Sequence, residues 1–159
     1  MQMHKFAIFP SMNRREDAEV GAWVALVRAQ RVALATVERA LKDAQLPPLE
    51  WYDVLLELDR GGKLRPRDLQ DRLLFAQYNL SRLLDRMETA KLIDRTPCPD
   101  DARCQWISAT PQGLALRKRM WPVYATAIGL AVGRNLSDAD ARKLTLLLGK
   151  ISGGSVDPS

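Results

Sequence analysis

Between Arg65 and Arg95 the chain reads RPRDLQDRLLFAQYNLSRLLDRMETAKLIDR, the pattern of two short helices joined by a tight turn. Pro66 has the fixed φ of a first helical position, and Leu69 and Leu73 follow four residues apart. A second helix is predicted from Gln77 to about Lys91, where apolar residues recur at helical spacing. Its buried face is predicted to consist of Leu80, Leu83, Leu84 and Met87.

The opposite face of this second helix is polar. It carries Tyr78, Arg82, Asp85 and Arg86, with Gln77 and Asn79 near the leading end. Amides, a tyrosine and arginines on an exposed helix are the groups that reach base edges and phosphates in a major groove. The alternative is a solvated amphipathic helix without such a partner.

A β-hairpin is predicted directly after this helix. The chain passes from Leu92–Arg95 through a turn-rich tip at 96–103 into Cys104–Ser108, which alternates and is rich in β-forming residues. Leu64 is predicted to supply a short strand beside the hairpin. A helix pair followed by a hairpin with a basic tip is the pattern of a winged helix-turn-helix.

With these motifs the sequence resembles the MarR family of bacterial transcription regulators. The resemblance covers Leu49 to Gly113 firmly and the flanking helices more loosely. The segments that carry it are Leu49, Trp51, Val54, Leu55 and Leu58 on one helix, SRLLDRMETAKLIDR at Ser81–Arg95, D-A-R at Asp101–Arg103, and A-T-P-Q-G at Ala109–Gly113. It implies a mainly α fold with a small β-hairpin wing (α+β), a winged helix-turn-helix flanked by N- and C-terminal dimerisation helices. Double-stranded DNA is the implied partner, and no cofactor is implied.

The resemblance places a set of polar residues on the DNA side of the motif. Arg103 matches the family's wing arginine, and Asp101 is expected to orient its side chain through a charge-assisted pair. Arg82 is expected to contact a guanine or a phosphate. The predicted DNA-binding residues are Arg65, Arg67, Gln77, Tyr78, Asn79, Ser81, Arg82, Arg86, Arg95, Asp101 and Arg103. For each of these charged residues taken singly, the alternative to a DNA contact is a solvated surface side chain.

Three positions depart from the family pattern. Ala76 stands where a capping serine is usual, so the recognition helix is expected to start without a side-chain cap. Lys91 stands where a glycine usually ends that helix, so the exit into the wing is expected to differ in detail. Ala109 replaces the usual leucine.

The 159 residues are divided into four predicted parts. Residues 1–48 form an N-terminal dimerisation helix that starts near Arg14, after an Asn13-x-x-Glu16 capping box. Residues 49–110 form the DNA-binding lobe. Residues 111–152 form C-terminal dimerisation helices, capped by Thr110 and Ser137 and kinked at Pro122. Residues 153–159 are a disordered polar tail.

The resemblance also implies a homodimer, in which the first helix and the last two interlock with those of a second subunit. Such a dimer would bind a near-palindromic operator with half-sites roughly 34 Å apart. The alternative is packing of both ends within one chain.

The implied function is that of a repressor relieved by a small aromatic or amphipathic anion. The predicted ligand-binding residues are Arg14, Arg15, Trp23, Arg28, Trp51 and Tyr52. The competing function is a winged-helix module that binds protein instead of DNA.

Composition limits the other possibilities. The formal net charge of +5 permits nucleic acid or an anionic membrane surface as partner. No apolar run is expected to span a bilayer, and the N-terminal apolar stretch is too short for a secretory signal, so a cytoplasmic protein without a membrane partner is expected. His4 is the only histidine, and Cys98-x5-Cys104 has the wrong spacing for a metal site. The sequence therefore predicts no enzyme and no metal.

The two cysteines flank the predicted hairpin tip. A cytoplasmic location predicts that Cys98 and Cys104 are reduced thiols with a structural or incidental role. The alternative is a wing that is locked by oxidation.

Overall fold

The computed structural model describes residues 14–74 and 79–153. The helices of these ranges are α1 Arg14–Asp43, α2 Leu49–Gly61, α3 Pro66–Arg72, α4 Leu80–Thr89, α5 Pro111–Ile128, which runs into a π-helical turn Gly129–Gly133, and α6 Asp138–Ser152. The strands are β1 Lys63–Leu64, β2 Ile93–Cys98 and β3 Asp101–Ala109. The predicted fold class, mainly α with a small β wing, is confirmed.

The three strands form one antiparallel sheet in the order β1-β3-β2. Leu64 pairs with Ile107, which confirms the predicted short strand beside the hairpin. Ile93 pairs with Ala109 at the base of the hairpin, and the register continues to Pro97 opposite Gln105. The sheet joins the hairpin to the end of α2 and so fixes the direction in which the wing extends.

The hydrophobic core lies where α2, α4, α5 and the sheet meet. Leu55, Leu58, Met87, Ile107 and Met120 are each at most 1% exposed. Fully burying an aliphatic side chain stabilises the fold by about 1.5–3 kcal/mol. The leucine face predicted for the second helix of the motif is buried as expected, so the polar face of α4 points outward.

The starts of two helices were predicted correctly. Thr110 accepts a hydrogen bond from the backbone N–H of Gly113 at 3.0 Å and caps α5. Ser137 and Asp140 form a reciprocal capping box at the start of α6. Asn13, predicted to cap α1, lies outside the described residues.

The recognition helix starts later than predicted. It begins at Leu80 instead of Gln77, and the Asn79 side chain accepts a hydrogen bond from the backbone N–H of Arg82 at 3.3 Å. The expectation of a helix without a side-chain cap is therefore wrong. Asn79 has taken over the capping role three residues downstream of Ala76.

The recognition helix ends at a residue in the left-handed backbone conformation, which glycine adopts most easily. Lys91 has φ +59°, in the left-handed region that costs a side chain roughly 1–2 kcal/mol. The backbone N–H groups of Lys91 and Leu92 donate to the carbonyls of Glu88 and Met87, at 2.8 and 2.9 Å. These two bonds are those of a Schellman motif. Lys91 thus adopts the left-handed conformation that a glycine would have at this position. The expectation that the exit into the wing differs is therefore wrong.

The start of α5 is hydrogen-bonded to the residues that follow the recognition helix. The Thr110 hydroxyl donates to the carbonyl oxygen of Lys91 at 2.8 Å, and the Thr110 N–H donates to that of Leu92 at 3.0 Å. A Cβ atom on Gly113 would overlap the Leu92 carbonyl oxygen. Only glycine permits this close approach between α5 and the base of the wing.

The first helix meets the length and composition criteria for crossing a membrane. α1 has 30 residues and a mean hydropathy of 1.3 over its most apolar window, so the expectation that no run is long enough is corrected. Long helices of soluble proteins meet the same criteria. Arg28 and Arg31 lie near the middle of α1, where each guanidinium would cost about 2.5–3.5 kcal/mol in a bilayer. α1 also packs against α5.

Candidate nucleic-acid interface and adjoining cavity

The outward face of α4 carries the first group of predicted DNA contacts. Ser81 and Arg82 are exposed, and Arg82 has no salt-bridge partner within residues 14–74 and 79–153. The guanidinium of Arg82 is therefore available to a base or a phosphate. Gln77 and Tyr78 lie outside the described residues, and Asn79 already accepts the capping bond.

Two other arginines of this set are held by carboxylates of the protein. Arg86 pairs with Glu50 of α2 at 3.2 Å. Arg95 on β2 pairs with Asp85 at 2.7 Å and with Glu88 at 3.3 Å, and its side chain is only 21% exposed. Arg95 therefore ties the wing to α4. The predicted phosphate contact at Arg95 remains a prediction, and this double pairing argues against it.

A cleft of about 360 Å³ runs between α3, α4 and the wing. It brings together three predicted DNA contacts, Arg67, Ser81 and Arg95, with Gln105 on the wing side. Arg65, at the entry to α3, lies over the ring of Trp106 with 5.1 Å between the guanidinium carbon and the ring centroid. This cation–π contact orients the side chain at the cleft's edge.

The wing tip differs from the prediction in one bond. The Asp101 carboxylate accepts from the backbone N–H of Arg103 at 2.9 Å, two residues on. The expected charge-assisted pair with the Arg103 side chain is not the contact that forms. Asp101 shapes the turn, and the exposed Arg103 guanidinium is left to solvent.

The two cysteines at the tip are joined. Cys98 and Cys104 form a disulfide, with Cα atoms 5.3 Å apart. The expectation of reduced thiols is corrected. The hairpin explains the proximity: Pro97 pairs with Gln105, and Cys98 and Cys104 are the next residues toward the tip, although the shifted register pairs Cys98 itself with Asp101.

The structure does not bring the predicted ligand-binding residues together. Arg14, Arg15 and Arg28 are exposed on α1, and Trp23 is 66% exposed there. Arg15 is paired with Glu19 at 3.0 Å. Trp51 and Tyr52 lie on α2. Of the predicted set, Tyr52 is the residue that lines the cavity described next.

That cavity has a volume of about 400 Å³ and lies between α2 and α5. Its aromatic lining is a cluster of three rings: Tyr52 stacks near Trp121 with centroids 6.1 Å apart, and Tyr124 meets both rings edge-on. Its polar lining consists of Arg60, Arg117 and Asp53. Arg117 pairs with Asp59 through one terminal nitrogen, while its buried Nε–H has no partner among the described residues. A flat anion suits this combination of rings and guanidinium groups.

The cavity reaches the turn of the helix-turn-helix. Leu74, at the end of the described part of that turn, lines the cavity with Asp53. Asp53 is 6% exposed, and its carboxylate accepts from the Leu74 N–H at 2.8 Å. Whatever occupies the cavity is thus adjacent to a bond that positions the entry to α4.

Tyr124 is held in its neutral form. Burial raises the pKa of its phenol above the usual 10.0, and the nearby Asp53 and Tyr52 raise it further. At neutral pH the hydroxyl is therefore protonated and able to donate a hydrogen bond.

Sequence reasoning missed most of the cavity residues. Arg117, Trp121 and Tyr124 recur at steps of four and three on α5, and Asp53 interrupts an apolar run on α2. Those signals were present in the sequence. The pairing of the α5 face with α2 depends on tertiary packing, which the spacing does not encode.

A three-helix lobe with a wing and an exposed helix after the turn is the winged helix-turn-helix fold. Residues 44–103 match the model of the MarR family. This segment is thus similar to the MarR family of transcriptional regulators, which agrees with the resemblance seen in the sequence. Similarity to a family of regulators agrees with the expectation that the chain is not an enzyme. No curated protein matches the chain.

Solved structures share the whole fold. A MarR-family regulator from Streptomyces coelicolor, in complex with DNA, is 22% identical, with a TM-score of 0.77 and 94% of each chain covered. Bordetella bronchiseptica BpsR, whose DNA binding is regulated by 6-hydroxynicotinic acid, is 24% identical, with a TM-score of 0.73 over 82% of this chain and 92% of that one. A mutant Escherichia coli MarR with operator DNA is 20% identical, with a TM-score of 0.71 over 89% and 99%.

Proposed function

We propose that the chain is a homodimeric, cytoplasmic repressor that releases a near-palindromic operator when a small aromatic anion binds. The observation that carries the ligand-dependent part is the cavity between α2 and α5. Its aromatic and guanidinium lining suits a flat anion, and its floor includes the Asp53–Leu74 hydrogen bond. The effector would thus bind next to the turn that positions the recognition helix.

The terminal helices support the dimer. α6 has no buried residue, yet Leu144, Leu147 and Ile151 are 40%, 48% and 69% exposed and share one face. Trp23 and Val27 of α1 are likewise exposed at a spacing of four. Apolar area removed from water contributes about 25 cal/mol per Å², so covering both faces with a second copy is favourable.

Dimerisation can be tested with one matched pair of variants. Leu147→Asp places a charge on the exposed apolar face of α6 and should yield monomers in analytical ultracentrifugation. Thr145→Asp adds the same charge to a neighbouring flank of the helix and should leave dimers largely intact. A wild-type protein that is monomeric at micromolar concentration would refute the dimer.

The chemistry of the cavity supports the choice of an aromatic carboxylate. The ring cluster offers faces for stacking, and the Arg117 Nε–H and Tyr124 hydroxyl offer donors for a carboxylate. BpsR responds to 6-hydroxynicotinic acid, which is a carboxylate on an aromatic ring. The same class of ligand is proposed here.

A ligand acts on DNA binding only if it prefers one arrangement of the lobe. An anion that draws Arg117 or Tyr124 toward itself changes the surroundings of Asp53, and through Asp53 the position of Leu74. The proposed result is displacement of α4 from its operator-binding position. The coupling is expected to be about 1–3 kcal/mol.

Benzoate, salicylate and 6-hydroxynicotinate are suitable probes. A binding compound should raise the melting temperature of the free protein and weaken binding to DNA selected from random duplexes. Arg117→Ala should abolish both effects, whereas Arg119→Ala, which removes an exposed arginine two residues away, should preserve both. Stabilisation by a probe with unchanged DNA affinity would refute the regulatory role of the cavity.

The competing function, a protein-binding module, predicts a different dependence of binding affinity on salt concentration. DNA binding through several arginines should weaken steeply as salt rises, because phosphate contacts release counterions. Binding to a protein partner that is insensitive to salt, with no DNA binding at low salt, would favour the module instead.

A further inference from the structure

The disulfide encloses the whole tip of the wing. Cys98 and Cys104 close a ring around residues 99–103, which include Asp101 and Arg103. Every residue of this enclosed segment is exposed. The bond is therefore placed where its presence constrains the tip without rearranging the core.

Besides the disulfide, a strand pair and one side-chain hydrogen bond hold the tip. The strand register slips between Pro97 and Cys98, so that Cys98 pairs with Asp101 instead of Cys104. Inside the ring, the Asp101 carboxylate accepts the N–H of Arg103. An unconstrained segment of this kind loses conformational freedom when it docks onto a partner, and a preformed one has less to lose.

We propose that Cys98 and Cys104 form a thiol–disulfide switch that sets the order of the wing tip and thereby the affinity for DNA. In the oxidised form Arg103 is presented by a closed ring. In the reduced form the tip samples many conformations, and binding must first select one. This inference rests on DNA binding by the winged helix-turn-helix and is independent of the cavity between α2 and α5.

The oxidation is a thiol–disulfide exchange with a small disulfide such as glutathione disulfide. Cys104, the more exposed of the two, attacks as its thiolate and releases one glutathione thiol. The Cys98 thiolate then attacks Cys104 Sγ in the mixed disulfide and releases the second. Two protein thiols become one disulfide, one glutathione disulfide becomes two thiols, and the two protons pass to the departing glutathione.

The test compares the wild-type protein after equilibration with glutathione disulfide and after reduction with dithiothreitol. Thiol labelling with mass spectrometry measures the state of the pair. Titration with a mixed-sequence duplex of about 30 base pairs, long enough for two half-sites, measures affinity. The oxidised protein should bind about ten-fold more tightly, and the Ala102 and Arg103 amides should exchange hydrogen faster after reduction.

A Cys98→Ala, Cys104→Ala double variant should bind like the reduced protein under both conditions. Cys104→Ser alone serves the same purpose and leaves the nearly buried Cys98 in place, in case the double variant folds poorly.

Equal affinity and equal exchange in the two redox states would overturn the proposal. So would a pair that stays reduced in excess glutathione disulfide. Absence of DNA binding in both states would refute the DNA-binding function itself, and the exchange rates would then still decide whether the tip responds to oxidation.

Discussion

The carboxylate of Asp53 accepts a hydrogen bond from the backbone N–H of Leu74 at 2.8 Å, across 21 residues of sequence. Asp53 is nearly fully buried on α2, while Leu74 belongs to the turn that precedes the recognition helix. This hydrogen bond connects the core helix of the lobe to the turn that precedes α4.

Removing this bond should affect stability and DNA binding together. Asp53→Ala is expected to lower the free energy of unfolding by about 1–3 kcal/mol, because the Leu74 N–H loses its acceptor. It should also weaken DNA binding under conditions where the variant is folded. Urea denaturation and DNA titration measure the two effects. Glu38→Ala, at an exposed acid of α1, is the control and should change neither by much. Equal stability of the two variants would show that the bond contributes nothing.

Arg82 is expected to provide sequence preference. Arg82→Ala should weaken operator binding by about 1–3 kcal/mol and relax preference at one base pair, because a forked guanidinium discriminates between base edges. Binding to a set of single-base operator variants measures this. Arg119→Ala removes an equal charge from α5 and should leave the preference unchanged. A uniform loss over all sequences would demote Arg82 to a phosphate contact.

Arg95 and Arg103 should differ in their dependence on salt. Arg103 is exposed at the tip, so Arg103→Ala should reduce the slope of log affinity against log salt by about 1. Arg95 is already neutralised by Asp85 and Glu88, so Arg95→Ala should leave that slope nearly unchanged and lower stability by up to about 1 kcal/mol. Titrations at four salt concentrations distinguish them. Identical slopes for both variants would contradict the assignment of Arg95 to the wing–helix junction.

Tyr124 should make stability fall at high pH. Its pKa is raised in the folded state, so above about pH 10 the unfolded chain loses the phenol proton first. The folded state then binds more protons than the unfolded state, and the free energy of unfolding falls as pH rises through the folded pKa. Tyr124→Phe should make this fall shallower in urea denaturation between pH 8 and 11. Unchanged slopes would show that Tyr124 titrates alike in both states.

The winged helix-turn-helix lobe could be predicted from the sequence because each local signal agreed with the global fold. The leucine spacing of α4, the Thr110 cap and the Leu64 strand all reappear in the structure. The start of α4 was misplaced because Gln77 continues the helical pattern, whereas the Asn79 cap defines where the hydrogen bonding of the helix begins.

The candidate effector site was less predictable. Trp23 and Arg28 have the right chemistry for a flat anion, yet α1 presents them outward. The spacing of Arg117 and Tyr124 places them on one face of α5. Which helix packs against that face depends on tertiary contacts, and these cannot be predicted from the periodicity of the sequence. The cysteines were misjudged for a different reason. A cytoplasmic location favours reduced thiols, whereas the hairpin brings Cys98 and Cys104 together directly beyond the paired residues Pro97 and Gln105.

The contact between Gly113 and the Leu92 carbonyl couples the position of α5 to that of the wing. With no side chain between them, the first turn of α5 packs directly against the backbone that leads into β2, and the bond from the Thr110 N–H to the Leu92 carbonyl ties the two together. The six residues of β2 span roughly 20 Å, so a tilt of α5 by about 10° would carry the wing tip sideways by about 3 Å. A small rotation of α5 would thus displace the wing tip by about the length of a hydrogen bond.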